Sequence, residues 1–334
     1  MAQNSYKKFF QQALLFSTPL LLLVLSYLIF DPFHILYAYK SYPDNLGKSL
    51  NRDRISTQMF LNNNPKYHYQ SFIFGSSRSS VFYANDWGKY INDTNVFHFD
   101  ASCETVSAID AKLKYIDKAE NSIKNALFVW DNSIFAYEQD TSGSVFIQDC
   151  RVSGVPKWKY HKVFFNAFLS NAFFVRYFDY KLFREFKPYM NGYLENRKIV
   201  YTPVHNDFVF QSYIDDIQKD SVKYYSQDYF YERDTIKKVS DAVIKPYQIT
   251  YLKSIKAMLD KHKTTYQIIW GPMYNQLYIN PKDREIIENI FGKDKFHDFA
   301  GQNKFTNDKR NYYEIFHYKP QVAQEILREV YLNN

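Results

Sequence analysis

The chain has 334 residues, and its 46% apolar and 23% charged content is ordinary for a globular protein that buries a substantial core. The net charge is +7, but there is no long basic block and no recognisable nucleic-acid-binding module, so a nucleic-acid partner is not expected. The two cysteines, Cys103 and Cys150, are too few for a thiolate metal cage; they either pair in an oxidising compartment or remain free thiols.

The first predicted element is an apolar helix over residues 13–30. This stretch is uncharged and close to the ~20 residues that cross a bilayer as a helix. Lys7 and Lys8 precede it, which predicts a cytoplasmic N-terminus and places the rest of the chain outside the cytoplasm. A cleaved signal peptide is the alternative, but the apolar run exceeds the usual ~7–15-residue core and no small-x-small cleavage site follows. We therefore predict that residues 1–35 form a cytoplasmic N-terminus and a transmembrane anchor.

The next segment, residues 36–68, is polar and irregular and predicts a stalk or a segment that wraps the folded domain. From residue 69 onward, short apolar strands alternate with helices. The predicted strands are 69–75, 95–99, 126–130, 265–270 and 295–299, and the predicted helices are 79–90, 105–120, 242–262, 282–291 and 320–332. Such alternation is typical of a parallel sheet covered by helices on both faces, so we expect an α/β domain over residues 69–334.

The alternation is interrupted by an aromatic-rich insertion between about residues 133 and 240. Segments 162–168 and 173–178 are most simply helices with an apolar stripe that packs in a core. The alternative is a lid or a membrane-facing surface near the active site.

A serine-rich turn, Gly75-Ser76-Ser77-Arg78, directly follows the first predicted strand. A sharp turn at the carboxyl end of a buried strand exposes a hydroxyl, and loops at this edge of a parallel sheet form the ligand crevice. A serine here is also explained as a simple helix cap. However, Glu314 precedes His317 by three residues near the end of the same domain, so a carboxylate could orient an imidazole that serves as base.

Together these residues resemble the SGNH/GDSL hydrolase superfamily, and more closely its membrane-anchored extracytoplasmic branch associated with O-acylation of cell-envelope polysaccharides. Residues 72–78 are similar to the family's Gly-Asp-Ser turn, with Ser76 in place of Asp. Residues 311–320 are similar to its Asp-x-x-His block, with Glu in place of Asp. The resemblance covers roughly residues 69–135 and 265–332 and implies a three-layer, flavodoxin-like SGNH fold with a mainly parallel sheet.

The resemblance implies serine catalysis without a cofactor. Ser77 would attack an acyl carbonyl, His317 would move the proton, and Glu314 would hold the imidazole tautomer. The residues at positions that bind the oxyanion or the substrate are Ala101, Ser102, Asn132 and Arg78. The match is weaker here, since the family uses a Gly after the second strand and a Gly-x-Asn-Asp order after the third. The arginine either binds an anionic acceptor or lies solvated on a helix face.

Other candidate residues predict less. Trp130, Trp270 and Tyr274 lie at strand ends, where they either stack on sugar rings or are buried. His98 is interpreted as an ordinary strand residue. His297-Asp298 has no identifiable third ligand, so no metal site is predicted.

The expected function is that of a membrane-anchored serine esterase or O-acyltransferase acting on a cell-envelope polysaccharide in the periplasm or outside the cell. Acyl-CoA is not available there, so transfer would require a membrane-bound O-acyltransferase as the partner that delivers the acyl group. One alternative is a catalytically inactive accessory protein that binds glycan or that acyltransferase. The other is an envelope structural protein whose serine turn is only a helix cap.

Overall fold

The computed structural model describes residues 2–42, 45–136, 143–233 and 236–332. The α-helices are α1 Ala2–Phe30, α2 Arg52–Tyr67, α3 Ala84–Ile91, α4 Val106–Lys118, α5 Asn132–Ala136, α6 Cys150–Ser153, α7 Lys157–Leu169, α8 Asn171–Phe183, α9 Gln211–Lys219, α10 Ser221–Tyr225, α11 Pro246–His262, α12 Pro281–Phe291 and α13 Pro320–Leu332. The strands are β1 Ser71–Gly75, β2 Val96–His98, β3 Asn125–Trp130, β4 Val200–Tyr201, β5 Phe208–Val209, β6 Thr265–Trp270, β7 Phe296–Asp298, β8 Tyr312–Glu314 and β9 His317–Tyr318.

Five of these strands form one parallel sheet in the order β2-β1-β3-β6-β7. Counting only these five along the chain, the order is 2-1-3-4-5, which is that of a flavodoxin-like doubly wound sheet. Gly75 pairs with Val129, and Trp130 pairs with Trp270, so the carboxyl ends of the three central strands lie side by side. The prediction of an α/β fold with a parallel sheet is confirmed.

Side chains alternate between the two faces of the sheet and form two cores, as the period of two in a strand requires. On one face Phe72, Phe74 and Phe128 pack against α2, α4, α11 and α12. On the other face Ile73 and Leu127 pack against α3 and α13. Helices therefore cover both faces, which explains why consecutive residues in the middle of the strands, such as Phe72, Ile73 and Phe74, are apolar.

Helix α2 corrects the prediction of an irregular segment over residues 36–68. It packs in the first core, where the Phe60 ring stacks on Phe99 with ring centroids 5.3 Å apart. Its first residues, Arg52 and Asp53, are also buried. The sequence did not indicate a helix because α2 is mostly polar and its buried charges find partners in distant parts of the chain.

Two ion-pair groups hold the start of α2 against the sheet. Arg52 donates from Nε and Nη2 to the two carboxylate oxygens of Asp100 at 3.0 and 2.6 Å. Lys112 lies between Asp53, at 2.9 Å, and Glu104, at 2.5 Å. Burial, with the nearby charge of Asp53, raises the pKa of the Glu104 carboxyl, although the Lys112 ammonium opposes this shift.

The N-terminal helix α1 contains the one candidate membrane span among the described residues, Tyr6–Phe30, which is long and apolar enough to cross a bilayer. By length and composition it is compatible with an anchor or with a signal sequence. Its last turns belong to a third hydrophobic cluster, in which Tyr27 and Phe33 pack against α7 and α8. These two helices coincide with the aromatic segments predicted to be helical. Cys103 and Cys150 are half-buried and do not form a disulfide bond.

Candidate active site

The serine turn starts where β1 ends. A Cβ atom at Gly75 would lie 2.6 Å from the Val129 carbonyl oxygen, so only glycine allows β3 to come this close. Ser77 begins a short 3-10 helix that ends at Val81, and its side chain is half-buried. The hydroxyl therefore stands at the carboxyl edge of the sheet, in the loop position that forms ligand crevices in such folds.

The histidine and the glutamate lie on a small antiparallel hairpin formed by β8 and β9. Glu314 is the last residue of β8, and His317 is the first residue of β9, and the two are paired across the hairpin. This pairing places their side chains next to each other, which explains the spacing of three residues. Glu314 Oε1 accepts a hydrogen bond from His317 Nδ1–H. The other carboxylate oxygen, Oε2, accepts one from the Phe316 N–H at 2.8 Å.

The structure brings the three predicted catalytic residues into one hydrogen-bonded array. His317 Nε2 lies 2.8 Å from Ser77 Oγ, although the two residues are 240 positions apart in the chain. Because the Glu314 carboxylate accepts the Nδ1 proton, Nε2 is left as the acceptor for the serine hydroxyl. The Phe210 ring packs on the imidazole with centroids 4.9 Å apart and limits its rotation. The array can deprotonate the Ser77 hydroxyl as it attacks an electrophile.

Arg78 is not a solvated helix-face residue. Its Nη1 donates to Asp131 Oδ1 at 2.9 Å and to Ser133 Oγ at 2.6 Å, and its Nε donates to the Phe316 carbonyl oxygen at 3.0 Å. The guanidinium thus links the turn after β1, the turn after β3 and the loop that carries the histidine. We assign it a positioning role, since these protein groups already occupy much of its donor capacity.

The backbone donors near the serine differ in availability. The Ala101 N–H donates to the Gly75 carbonyl oxygen at 3.3 Å, so it is already occupied. The N–H groups of Ser77 and Ser102 have no acceptor within the described residues, and both residues are half-buried. Of the two candidates after β2, the structure therefore favours Ser102 as a donor to an oxyanion.

Asn132 begins α5, directly after the turn that follows β3. The Arg78 guanidinium bonds to both of its neighbours, which places Asn132 beside the serine turn. Its carboxamide makes no hydrogen bond to other described residues, and its Oδ1 is buried. An amide without a protein partner at this edge is able to donate to a substrate oxygen.

A second serine-histidine-aspartate array lies beneath the first, and sequence reasoning missed it. Ser79 Oγ is 2.9 Å from His98 Nε2, and His98 Nδ1 is 3.2 Å from Asp207 Oδ1. All three side chains are buried, and Ser79 Oγ also bonds to the Ser76 carbonyl oxygen at 2.7 Å. The array therefore connects the serine turn to the end of β2 and to the residue that precedes β5. The sequence carries no signal for it, because Asp207 lies in the insertion and not in a loop at the carboxyl end of a sheet strand.

A groove of about 450 Å³ opens beside His317. Its side chains combine aromatic rings with charged and amide groups: Arg197, Tyr213, Asp216, Tyr224, Gln227, Tyr229, Glu314, Ile315, Phe316 and His317. Burial, with the charge of Glu314, raises the pKa of Tyr213, so this phenol stays neutral. A larger cavity, about 670 Å³, lies over α4 and α6 and shares no lining residue with this site.

The other residues singled out in the sequence do not join the site. Trp130, Trp270 and Tyr274 are buried, so they are not available for stacking on sugar rings. His297 Nε2 lies 2.9 Å from Gln267 Oε1, and Asp298 pairs with Arg284. Within the described parts of the chain no three His, Cys, Asp or Glu side chains cluster as metal ligands do.

No protein-family model matches this chain, and no curated protein is detectably similar to it.

Proposed function

We propose that the chain is an SGNH/GDSL-type serine esterase or O-acyltransferase, anchored in a membrane and acting on an extracytoplasmic cell-envelope polysaccharide. The observation that carries the proposal is the 2.8 Å contact between Ser77 Oγ and His317 Nε2, with Glu314 bonded to the other ring nitrogen. A serine that only caps a helix needs neither the imidazole nor the carboxylate. Unlike the buried array of Ser79, the side chains of Ser77, Glu314 and His317 are all partly exposed, so a substrate can reach them. The arrangement has the geometry by which a base activates a serine nucleophile.

In the proposed mechanism Ser77 Oγ attacks the acyl carbonyl carbon while His317 Nε2 takes its proton. The carbonyl oxygen becomes an oxyanion that accepts hydrogen bonds from the Ser77 and Ser102 N–H groups and from the Asn132 amide. As the ester bond breaks, His317 returns the proton to the leaving alcohol oxygen. Water then hydrolyses the acyl-serine in an esterase, or a sugar hydroxyl takes the acyl group in a transferase.

The groove beside His317 supports a carbohydrate as the substrate or acceptor. Sugars present apolar ring faces and many hydroxyl groups, which aromatic and polar side chains bind together. Tyr229 and Phe316 are exposed in this groove, and Arg197 and Asp216 supply charged hydrogen-bonding groups. These residues adjoin the imidazole, so a bound sugar hydroxyl would lie near the base.

The proposed location follows from α1 and its flanks. With Lys7 and Lys8 in the cytoplasm and the uncharged residues 13–30 of α1 across the bilayer, the α/β domain faces the periplasm or the exterior. In that compartment a membrane-bound O-acyltransferase is the partner that would deliver an acyl group.

Two observations favour the alternative, an inactive accessory protein that binds glycan or the membrane-bound acyltransferase. The Ala101 N–H is occupied by Gly75, and the Arg78 guanidinium is bonded to three protein groups. The site therefore offers fewer donors to an oxyanion or an anionic acceptor than its sequence suggests, and losing one oxyanion donor costs about 10²–10³ in rate.

Labelling with a fluorophosphonate probe distinguishes the two functions. We expect the wild type to be labelled and both Ser77→Ala and His317→Ala to lose labelling, since one removes the nucleophile and the other its base. Ser80→Ala is the matched control: its hydroxyl lies in the same 3-10 helix, is buried and has no partner within the described residues, so labelling should persist. A folded wild-type protein that resists the probe would support the accessory function.

A further inference from the structure

Helices α7 and α8 form a hairpin around Ser170 that packs against the end of α1. We call residues 157–183 the aromatic hairpin. The Tyr27 ring lies 5.2 Å from the Phe165 ring and 5.1 Å from the Phe168 ring. Farther along α1, the Phe30 ring lies 5.5 Å from Phe178. The hairpin therefore contacts the candidate membrane span itself, not only the segment that follows it.

These contacts fix the depth of the hairpin relative to the span. Tyr27 is only 5% exposed, and Leu23, one turn further in, packs against the same cluster. Leu23 precedes Phe30 by seven residues, which is about 10 Å along a helix. If α1 crosses a bilayer up to Phe30, the hairpin side chains that cover Tyr27 lie below the bilayer surface.

The aromatic hairpin has apolar side chains at several exposed positions, where a helix that faces water usually has polar side chains. The exposed apolar side chains are Trp158, Leu169, Val175, Leu182 and Phe183. Leu182, for example, is 75% exposed. In water such a surface is unfavourable, whereas at the boundary between acyl chains and headgroups it buries apolar area.

The charge of the hairpin complements an anionic lipid surface. Residues 157–183 contain five Lys and Arg against one Asp, so the aromatic hairpin supplies four of the seven net positive charges of the chain. The Lys181 amine lies 5.5 Å over the Phe30 ring. Beyond the hairpin, the Lys187 amine pairs with Asp179 at 2.7 Å, so the uncompensated positive charges are those on the hairpin itself. Basic side chains whose stems follow aromatic rings place their charge at headgroup level.

We propose that the aromatic hairpin is seated in the leaflet on the domain side of the membrane that α1 spans, with Leu169 and Val175 at its tip in contact with acyl chains and its basic side chains at anionic headgroups. The proposal rests on the membrane anchor of the proposed function and is independent of Ser77 chemistry. Two points of attachment, α1 and the hairpin, then hold the α/β domain at a fixed height above the bilayer.

Tryptophan quenching by brominated phospholipids tests this placement in the full chain reconstituted into vesicles. Trp87, Trp130 and Trp270 are buried in the α/β cores, so Trp158→Phe removes the only tryptophan of the hairpin. In that background we would introduce Leu169→Trp or Val175→Trp at the tip. The matched control is Val222→Trp, at a site on α10 that is 82% exposed and outside the hairpin.

We expect the tip tryptophans to lose emission in brominated lipid and to resist aqueous iodide, with the opposite pattern at position 222. Quenching should be stronger in vesicles that contain phosphatidylglycerol than in pure phosphatidylcholine. Equal quenching in both lipids would overturn the anionic-lipid part of the proposal. Iodide quenching at both tip positions, in protein that stays in the membrane through alkaline carbonate washing, would overturn the seating of the hairpin. Release by carbonate would instead contradict the anchor.

Discussion

Glu314 shows how one methylene group fits a local backbone. In a hairpin the carboxylate must cross from β8 to the imidazole on β9, and Glu314 also accepts the Phe316 N–H at 2.8 Å. An aspartate at this position would keep the charge but would be too short to make both contacts. The longer side chain of Glu314 therefore suits the hairpin that carries it.

Two substitutions at Glu314 distinguish the effect of its side-chain length from the effect of its negative charge. Glu314→Gln keeps the length and an oxygen for the Phe316 N–H but cannot stabilise an imidazolium, and Glu314→Asp keeps the charge but falls short of His317 Nδ1. We expect both to slow fluorophosphonate labelling, the Gln variant by about 10²–10⁴, as for other triads that lose the carboxylate. The thermal unfolding midpoint should change little in the Gln variant. Labelling at the wild-type rate in both would show that Glu314 does not orient the base.

Single residues also show what the sequence could predict about the site. Ser77 and His317 were predictable because a strand-end rule places both loops at one edge of the sheet, whatever their separation in the chain. The contacts of Arg78 with Asp131, and of His98 with Asp207, were not. They depend on how the turn after β3 and the segment around β5 pack on the serine turn, and neither follows a periodic pattern.

At the scale of elements, α2 was the main helix that sequence patterns missed, whereas the predicted sheet strands were matched to within two residues. Strands β1, β3 and β6 were predictable because each contains a run of consecutive apolar residues. Helix α2 is instead held in the core by charged residues such as Arg52, which bonds to Asp100 in the loop after β2. A charged residue is ordinarily a surface signal, so only the tertiary structure reveals that these charges are buried.

The Arg52–Asp100 pair predicts a specific pH dependence of stability. Burial alone would raise the pKa of Asp100. The nearby positive charges, of which Arg52 has the largest effect, instead hold this pKa below its ordinary value. Such a carboxyl stabilises the fold above its unfolded pKa of about 4, and the contribution is lost as the pH falls through the lower folded pKa. Arg52→Met leaves Asp100 buried without its main cation. We expect a loss of about 3–5 kcal/mol in the free energy of unfolding at pH 7.

The loss caused by Arg52→Met should shrink as the pH falls toward 4 and below, because a protonated Asp100 needs no cation. Denaturant unfolding of the full chain in detergent, followed by tryptophan emission at several pH values, measures it. Lys66→Met is the control, since it removes a positive charge from the exposed end of the same helix. A deficit that is equal at pH 4 and pH 7 would contradict a role for the charge on Asp100.

At the scale of the whole molecule, the N-terminal helix α1 and the insertion of the α/β domain share a hydrophobic cluster. Tyr27, Phe33 and Ile35 are buried, and they pack with the aromatic hairpin and with Ile147. A helix joined to its domain only by a loose stalk would leave these side chains exposed. The third cluster is separate from the two cores that flank the sheet, so it can weaken without disturbing the serine turn.

Tyr27→Ala tests that separation. Truncating a fully packed aromatic side chain costs about 3–5 kcal/mol, and here the cost falls on the third cluster alone. We expect faster tryptic cleavage at the lysines of α7 and α8 in detergent, with unchanged membrane retention and unchanged fluorophosphonate labelling. Leu28→Ala is the control, because this neighbouring side chain is exposed on α1 and lies outside the cluster. If Tyr27→Ala instead reduced fluorophosphonate labelling together with the faster cleavage of the hairpin, the third cluster and the sheet cores would unfold as one unit.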